Sequence, residues 1–142
     1  MGERGPSSER AAADRDAGRD AVGVLTIDDQ AVFRDLARLV LSTTPGFTSV
    51  GEVASGEEAL AVIDELRPQL VLVDVRMPGI GGIETARRIG AARPDAVVVL
   101  ISIEDSVDLP SAIETSGAVA LVRKQEFGGA LLRDLWAAHG AS

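Results

Sequence analysis

The feature that most constrains the fold is a regular alternation of short apolar segments with longer amphipathic ones. Five apolar segments have the length and composition of strands: 21–27, 47–54, 70–75, 96–102 and 118–123. Most of them are apolar at consecutive positions, without the polar alternation of a half-exposed strand. Strands that are apolar on both faces are typical of a parallel sheet with helices on each side.

The segments between these strands have the spacing and the end signals of helices. We predict helices over 30–43, 55–68, 83–92, 109–117 and 126–139. Strands and helices that alternate along a chain build α/β domains around a parallel sheet. The sequence therefore predicts one α/β domain with a doubly wound, five-stranded parallel sheet, of the flavodoxin-like (βα)5 kind.

Local patterns refine the predicted helices. Four apolar side chains share one face of the first helix: Val32, Leu36, Leu39 and Val40. Ser55 followed by Glu58 is a capping-box pattern that starts the second helix. Gly128 and Gly129 are expected to weaken the first turn of the last helix.

Composition defines the boundaries of the domain. Residues 1–20 hold nine charges and no large apolar residue after Met1, so we expect a disordered tail before a folded domain at 21–139 and a short end at 140–142.

A net charge of −8 argues against a broad basic surface for nucleic acid. Without cysteine there are no disulfides or thiolate metal sites. The apolar runs are too short to span a bilayer and the amino terminus lacks a signal-peptide pattern, so a cytoplasmic location is expected.

Polar side chains stand at the carboxyl ends of four predicted strands. Asp28 and Asp29 follow the first strand, and Asp74 lies near the end of the third. Ser102 ends the fourth strand and Lys124 follows the fifth. Ligands of doubly wound sheets bind beyond the carboxyl ends of the strands, so we expect these side chains to form one site.

The chemistry of this set points to phosphoryl transfer. Clustered carboxylates repel one another and call for a cation, and oxygen ligands with room for water suit Mg²⁺. A carboxylate can act as a nucleophile and form an aspartyl phosphate, while a lysine and a hydroxyl neutralise and bind the phosphoryl oxygens. Of the 14 basic residues, 13 are arginine, and Lys124 is the single lysine.

Four ordered segments, "VLTIDD", "VLVDVRMPG", "VVVLIS" and "GAVALVRK", resemble the signature segments of response-regulator receiver domains of two-component signalling. The resemblance covers about residues 21–139. It implies that Asp74 is the phosphoacceptor. It also implies that Asp28, Asp29 and Asp74, together with the backbone carbonyl of Arg76, hold Mg²⁺.

The resemblance assigns the remaining polar residues as well. Ser102 would bond the phosphoryl group and move with it, and Lys124 would contact its oxygens. Leu121 stands where the family usually has an aromatic switch residue, so we expect phosphorylation without the aromatic form of switching. Gly81 replaces a usual acidic residue in the loop after the third strand.

The resemblance implies partners as well as residues. The phosphodonor would be a sensor histidine kinase or a histidine phosphotransfer protein. Since only "GAS" follows the last predicted helix, we expect a stand-alone receiver that signals through a protein partner at residues 109–139 or by onward phosphotransfer. Homodimerisation remains open. We expect no direct contact with nucleic acid or membrane, and no turnover chemistry beyond self-phosphorylation and autodephosphorylation.

Two further residues are expected at the rim of this site. Arg76 stands two residues after Asp74, and Glu104 stands two residues after Ser102. We expect both to overhang the path of the water that would hydrolyse the aspartyl phosphate. The hypothesis is that Arg76 shields the phosphoryl group, with a smaller contribution from Glu104.

Other functions stay open at this stage. The main alternative is a receiver-like binding module that is never phosphorylated. A haloacid-dehalogenase-type phosphatase is weaker, because it would need an aspartate where Arg76 stands. An FMN-binding flavodoxin is also weaker, since "DDQAVF" is acidic where the phosphate would bind.

Overall fold

The structure, a computed structural model, describes residues 21–103 and 109–140. Within these ranges five strands form one sheet: β1 (Val22–Ile27), β2 (Phe47–Val53), β3 (Leu70–Asp74), β4 (Val97–Ser102) and β5 (Ala120–Arg123). Neighbouring strands are parallel, and the strand order is β2-β1-β3-β4-β5. The predicted fold class is therefore confirmed.

Helices cover both faces of the sheet. The described ranges contain α1 (Ala31–Thr43), α2 (Gly56–Leu66), α3 (Gly81–Ala92), α4 (Leu109–Ser116) and α5 (Gly129–His139). Alternate strand residues pack into two separate apolar clusters, one against α1 and α5 and the other against α2, α3 and α4. This two-sided burial explains why the strand sequences are apolar at consecutive positions.

The buried face of α1 differs from the prediction. Val32 is 82% exposed, Leu39 is 60% exposed and Leu36 is 41% exposed. The face that packs on the sheet carries Phe33, Ala37 and Leu41 instead, with Val40 partly buried beside them. Both sets have helical spacing and differ by about one residue in register, so periodicity did not separate them. The inward register buries the phenylalanine.

The start of the last helix also differs from the prediction. Residues Lys124–Glu126 form a single 3-10 turn rather than the beginning of α5. Gly128 has an extended backbone and precedes the helix, which begins at Gly129. The two glycines therefore delay the helix by three residues rather than only weakening its first turn. As a result Lys124 lies in a tight turn directly after β5.

Other end signals behave as expected. The Ser55 hydroxyl accepts a hydrogen bond from the Glu58 amide at 3.1 Å, which caps α2. The Glu58 carboxylate accepts from the Ala54 amide at 3.1 Å, one residue before the usual partner of a capping box. Gly117 ends α4 with a φ of 76°, a conformation that favours glycine.

The described part of the chain contains no helix long and apolar enough to cross a membrane. The tail over 1–20, Glu104, and the last two residues of the chain lie outside the described residues, so the predictions for them stay predictions.

Candidate functional site

The sheet order brings Asp28 and Asp74 to one edge. Strands β1 and β3 are direct neighbours, with Ile27 paired to Val73, so Asp28 and Asp74 lie side by side at the next position. Strand β4 continues beside β3, with Ile101 paired to Asp74. Because all strands are parallel, their carboxyl ends meet at this edge. The switch in strand order also falls here, between β1 and β3.

Asp28 is fixed by the backbone around it. The residue is fully buried. Its Oδ1 accepts a hydrogen bond from the Gln30 amide at 2.8 Å, and its main-chain carbonyl accepts from Arg34 Nη1 at 2.7 Å. Its amide donates to the carbonyl of Val53 at 3.1 Å, on the neighbouring strand. These bonds orient the carboxylate and leave Oδ2 for the centre of the site.

Asp74 is the last residue of β3 and is only 5% exposed. Its Oδ1 accepts a hydrogen bond from the amide of Arg76 at 3.3 Å. Burial, followed by the nearby charge of Asp28, raises the pKa of Asp74 from 3.8 to about 6, against the opposing pull of Lys124. A cation at this site would favour the ionised carboxylate, which is the form that acts as a nucleophile.

Lys124 places one positive charge between the two buried carboxylates. Its Nζ lies 2.6 Å from Asp28 Oδ2 and 3.6 Å from Asp74 Oδ2, and its side chain is 9% exposed. Asp28 Oδ2 forms no hydrogen bond within the described residues, so the close contact with Lys124 is an ion pair without hydrogen-bond geometry. The ammonium thus lies among the carboxylates, while Asp28 Oδ2 still has the capacity to accept a hydrogen bond.

The acidic cluster fits a hard divalent cation. Asp28, Asp29 and Asp74 each offer one carboxylate oxygen, and these oxygens lie within 4.8 Å of one another. Asp28 and Asp74 are buried, while Asp29 is exposed. A set of oxygen donors that is open to water on one side matches the ligand preference of Mg²⁺. The cluster holds three carboxylates against the one ammonium of Lys124, so a divalent cation would balance its charge.

The remaining predicted residues surround this cluster at different depths. Ser102 is the last residue of β4 and is 1% exposed. Leu121 pairs with Leu100 and packs, partly buried, into the apolar cluster beneath α2, α3 and α4. Arg76 is exposed, and its own amide is the one that donates to Asp74. Glu104 lies outside the described residues, so its predicted pairing with Arg76 stays a prediction.

Sequence reasoning missed residues that support the site without carrying its chemistry. Phe33 lies under the Lys124 ammonium, with Nζ 5.0 Å from the ring centroid, and its ring packs against Phe127. Gly82 packs against the main-chain carbonyl of Asp74 so closely that a Cβ there would lie 1.9 Å from the oxygen. The available signal was proximity in sequence, because Phe33 follows the aspartate pair by one helical turn and Phe127 follows Lys124 by three residues.

Gly81 explains one departure from the resembled pattern. Its φ of 81° lies in the left-handed region, where a side chain is disfavoured, so glycine suits the backbone at the start of α3.

A doubly wound parallel sheet with an aspartate cluster and one lysine at its carboxyl edge defines a receiver-type domain. The sequence matches the response regulator receiver domain over residues 24–135, and the chain belongs to this family of two-component systems. Phosphorylation and Mg²⁺ are typical of the family.

Individual relatives agree with this assignment. The chain is 36% identical over 103 residues to the response regulator GacA of Pseudomonas protegens, an alignment that covers 72% of this chain and 48% of GacA. It therefore spans about half the length of the curated relatives that it matches. The solved signal receiver domain of the NarL-type regulator of Mycobacterium tuberculosis is 28% identical, with a TM-score of 0.69 over 82% of this chain and 97% of that one. A LuxR-family response regulator from an Aurantimonas species is 25% identical, with a TM-score of 0.75 over 86% of this chain and 89% of that one.

Proposed function

We propose that the chain is a phosphorylatable receiver that accepts a phosphoryl group on Asp74 in the presence of Mg²⁺. The observation that carries the proposal is the meeting of three carboxylates and the chain's single lysine at one edge of the sheet. A purely structural role does not account for this arrangement, because burying two carboxylates beside each other lowers the stability of the fold.

The proposed reaction assigns each residue a separate task. A carboxylate oxygen of Asp74 attacks the phosphorus of a phosphohistidine, the new O–P bond forms as the P–N bond breaks, and the imidazole leaves with its electron pair. Asp28 and Asp29, with Asp74 and the backbone carbonyl of Arg76, would hold Mg²⁺. When bound, the metal neutralises charge on the phosphoryl oxygens and favours the nucleophilic carboxylate. Lys124 provides a point charge for one phosphoryl oxygen, and Ser102 donates a hydrogen bond to another.

Partners and output follow from the family and remain part of the proposal. We propose a sensor histidine kinase or a histidine phosphotransfer protein as the phosphodonor. The signal would leave through a protein partner at residues 109–139, or by onward phosphotransfer, without direct contact with nucleic acid. A cytoplasmic location is proposed on the same ground of family membership.

The test is incubation with Mg²⁺ and acetyl phosphate, followed by intact mass measurement. We expect the mass of one phosphoryl group to be added to the parent chain and not to Asp74→Asn. Asp64→Asn is the matched control, because Asp64 lies on α2 with a side chain that is 86% exposed. It should be phosphorylated like the parent chain, and excess chelator should abolish the reaction in both.

The main alternative makes the opposite prediction. A receiver-like binding module that is never phosphorylated would show no added mass under any of these conditions. Phosphorylation that persists in Asp74→Asn would also reject the proposal, since the acceptor would then be another residue.

A further inference from the structure

An aromatic pair lies beneath the lysine of the site. Phe33 belongs to the first turn of α1 and is 5% exposed, while Phe127 follows the 3-10 turn and is 8% exposed. Their ring centroids are 5.5 Å apart with the planes inclined at 59°. The pair joins the segment that follows the aspartates to the segment that carries Lys124.

The Lys124 ammonium lies over the face of one of these rings. Its Nζ is 5.0 Å from the centroid of Phe33. A cation within about 6 Å of a ring centroid is attracted by the negative face of the ring, and more strongly when water is excluded. Here the lysine side chain is 9% exposed, so the attraction operates in a largely desolvated place.

The other partners of the Lys124 ammonium are carboxylate oxygens that a divalent cation would also bind. Nζ contacts Asp28 Oδ2 at 2.6 Å and Asp74 Oδ2 at 3.6 Å, and both residues belong to the acidic cluster. If these oxygens bind a metal, their ion pairs with the Lys124 ammonium weaken. The Phe33 ring is a partner that offers no oxygen to the metal, so its attraction for the ammonium does not change with the occupancy of the cluster.

We propose that Phe33 is a positioning residue for Lys124. Its ring face holds the ammonium at the phosphoryl-binding edge while the carboxylate oxygens exchange the lysine for a divalent cation. This inference rests on the proposed function for its purpose, but the placement itself is independent of phosphorylation.

A purely structural role for Phe33 is the competing explanation, and matched variants separate the two. Phe33→Leu keeps an apolar side chain but removes the ring face under the ammonium. Phe127→Leu removes a ring from the same aromatic pair and is the control for lost packing. Phe33→Tyr retains a ring face and is the conservative rescue.

The chain's single lysine makes a direct measurement possible. Selective ¹³C labelling of lysine yields the side-chain signals of Lys124 alone, recorded on the full chain without metal. We expect the ε-methylene protons of the parent chain to be shifted upfield by the ring and to show cross-peaks to the Phe33 ring protons. Phe33→Leu should lose most of the upfield shift, whereas Phe127→Leu and Phe33→Tyr should retain most of it.

The second readout is the phosphorylation rate with acetyl phosphate at saturating Mg²⁺. Phe33→Leu should lower this rate roughly threefold to tenfold relative to Phe127→Leu, which corresponds to an ordinary cation–π attraction. Phe33→Tyr should restore most of it.

Several results would overturn the proposal. One is an unchanged lysine signal in Phe33→Leu, and another is an equal loss of the shift in Phe33→Leu and Phe127→Leu. The absence of Lys124–Phe33 cross-peaks in the parent chain would also overturn it, whether or not any variant folds. If the signals behave as expected but even the parent chain is not phosphorylated, the placement stands and the proposed function fails.

Discussion

Lys124 approaches Asp28 more closely than it approaches the proposed acceptor Asp74, with Nζ–oxygen distances of 2.6 and 3.6 Å. Asp28 is fully buried, and its oxygen at the centre of the site has the lysine as its charged partner. The ammonium is compact enough to lie between two carboxylates and a ring face. The site therefore depends on the shape of the cation as well as on its charge.

Replacing this lysine by arginine tests that dependence. Lys124→Arg keeps the charge, but the planar guanidinium is larger than the ammonium. It cannot take the same place, because the Lys124 side chain is only 9% exposed. We expect the phosphorylation rate with acetyl phosphate and Mg²⁺ to fall about tenfold or more. Arg123→Lys makes the reverse exchange at the exposed neighbouring residue and should leave the rate close to that of the parent chain. Wild-type phosphorylation of Lys124→Arg would mean that any cation suffices.

The raised pKa of Asp74 predicts a pH-dependent stability. Folding raises this pKa from 3.8 to about 6, mainly through burial, so the folded state binds more protons than the unfolded state between these pH values. Stability is then lost as the pH rises through this window. Without metal at about pH 8, the free energy of unfolding of Asp74→Asn should be about 1–2 kcal/mol higher than that of the parent chain. This difference already includes a reduction for solvent screening.

Urea unfolding in chelator at about pH 8 and about pH 4.5 measures this difference. The gain from Asp74→Asn should shrink at the lower pH, where Asp74 is protonated in the folded state. A gain of equal size at both pH values would show that ionisation of Asp74 is not its cause.

At the scale of elements, the contact between α3 and the end of β3 controls the backbone of Asp74. Gly82 is buried in the first turn of α3, and its amide donates to the carbonyl of Val75 at 3.2 Å. A Cβ at this residue would lie 1.9 Å from the carbonyl oxygen of Asp74, and that oxygen belongs to the main chain. The helix and the strand end must therefore separate if the glycine is replaced.

Gly82→Ala should lower the free energy of unfolding by about 1–3 kcal/mol, because the added methyl group displaces backbone rather than a flexible side chain. Gly90→Ala is the matched control in the same helix, since a Cβ at Gly90 has nothing within 4 Å. That variant should instead gain about 0.5–1 kcal/mol from helix propensity. Urea unfolding of both variants is the measurement. Equal effects of the two substitutions would contradict the close contact.

The elements also show where sequence reasoning succeeded and where it failed. Strand and helix order and the cap at Ser55 were predictable, because each depends on local pattern or on the rules of parallel sheets. The buried face of α1 was not, since Val32 and Phe33 both begin a helical series of apolar residues and packing decides between them. The start of α5 was misjudged because two glycines permit an extended approach to the helix.

The candidate site was predicted more fully than the packing around it. Asp28 and Lys124 follow strands and Asp74 ends one, and parallel strands bring such residues to one edge. The support from Phe33 and Gly82 depends on three-dimensional contacts that no spacing rule encodes. The roles of Ser102, Leu121 and Arg76 stay predictions, because they concern a phosphorylated state.

At the scale of the whole molecule, the fold gives the proposed phosphoryl group a route to a distant surface. Ser102 ends β4 and pairs with Arg123 of β5, beside the turn that holds Lys124. A phosphoryl group would add a charge of about −1.5 to −2 at this edge. Movement of Ser102 or Lys124 would be transmitted through β5 to α4 and α5, which flank this strand in sequence.

We therefore expect phosphorylation to perturb residues 109–139 as well as the loops near Asp74. Because Leu121 is a partly buried aliphatic residue rather than an aromatic one, the change should be smaller than in relatives with an aromatic switch. Chemical-shift mapping with beryllium trifluoride and Mg²⁺ is the measurement, and the exposed residues of α2 provide the internal reference. Shifts that stay within the loops around Asp74 would refute a propagated change.

The single lysine, held in a 3-10 turn, also makes the chain a reporter of its own local opening. A lysine-specific protease has one cleavage point in this sequence, after Lys124. There the Lys124 carbonyl accepts a hydrogen bond from the Phe127 amide at 3.2 Å, and the side chain is 9% exposed. Because a protease binds an extended segment, cleavage requires this turn to unfold first. The cleavage rate would thus measure how often the proposed phosphoryl-binding edge opens, and any ligand that closes it should slow proteolysis in proportion to its occupancy.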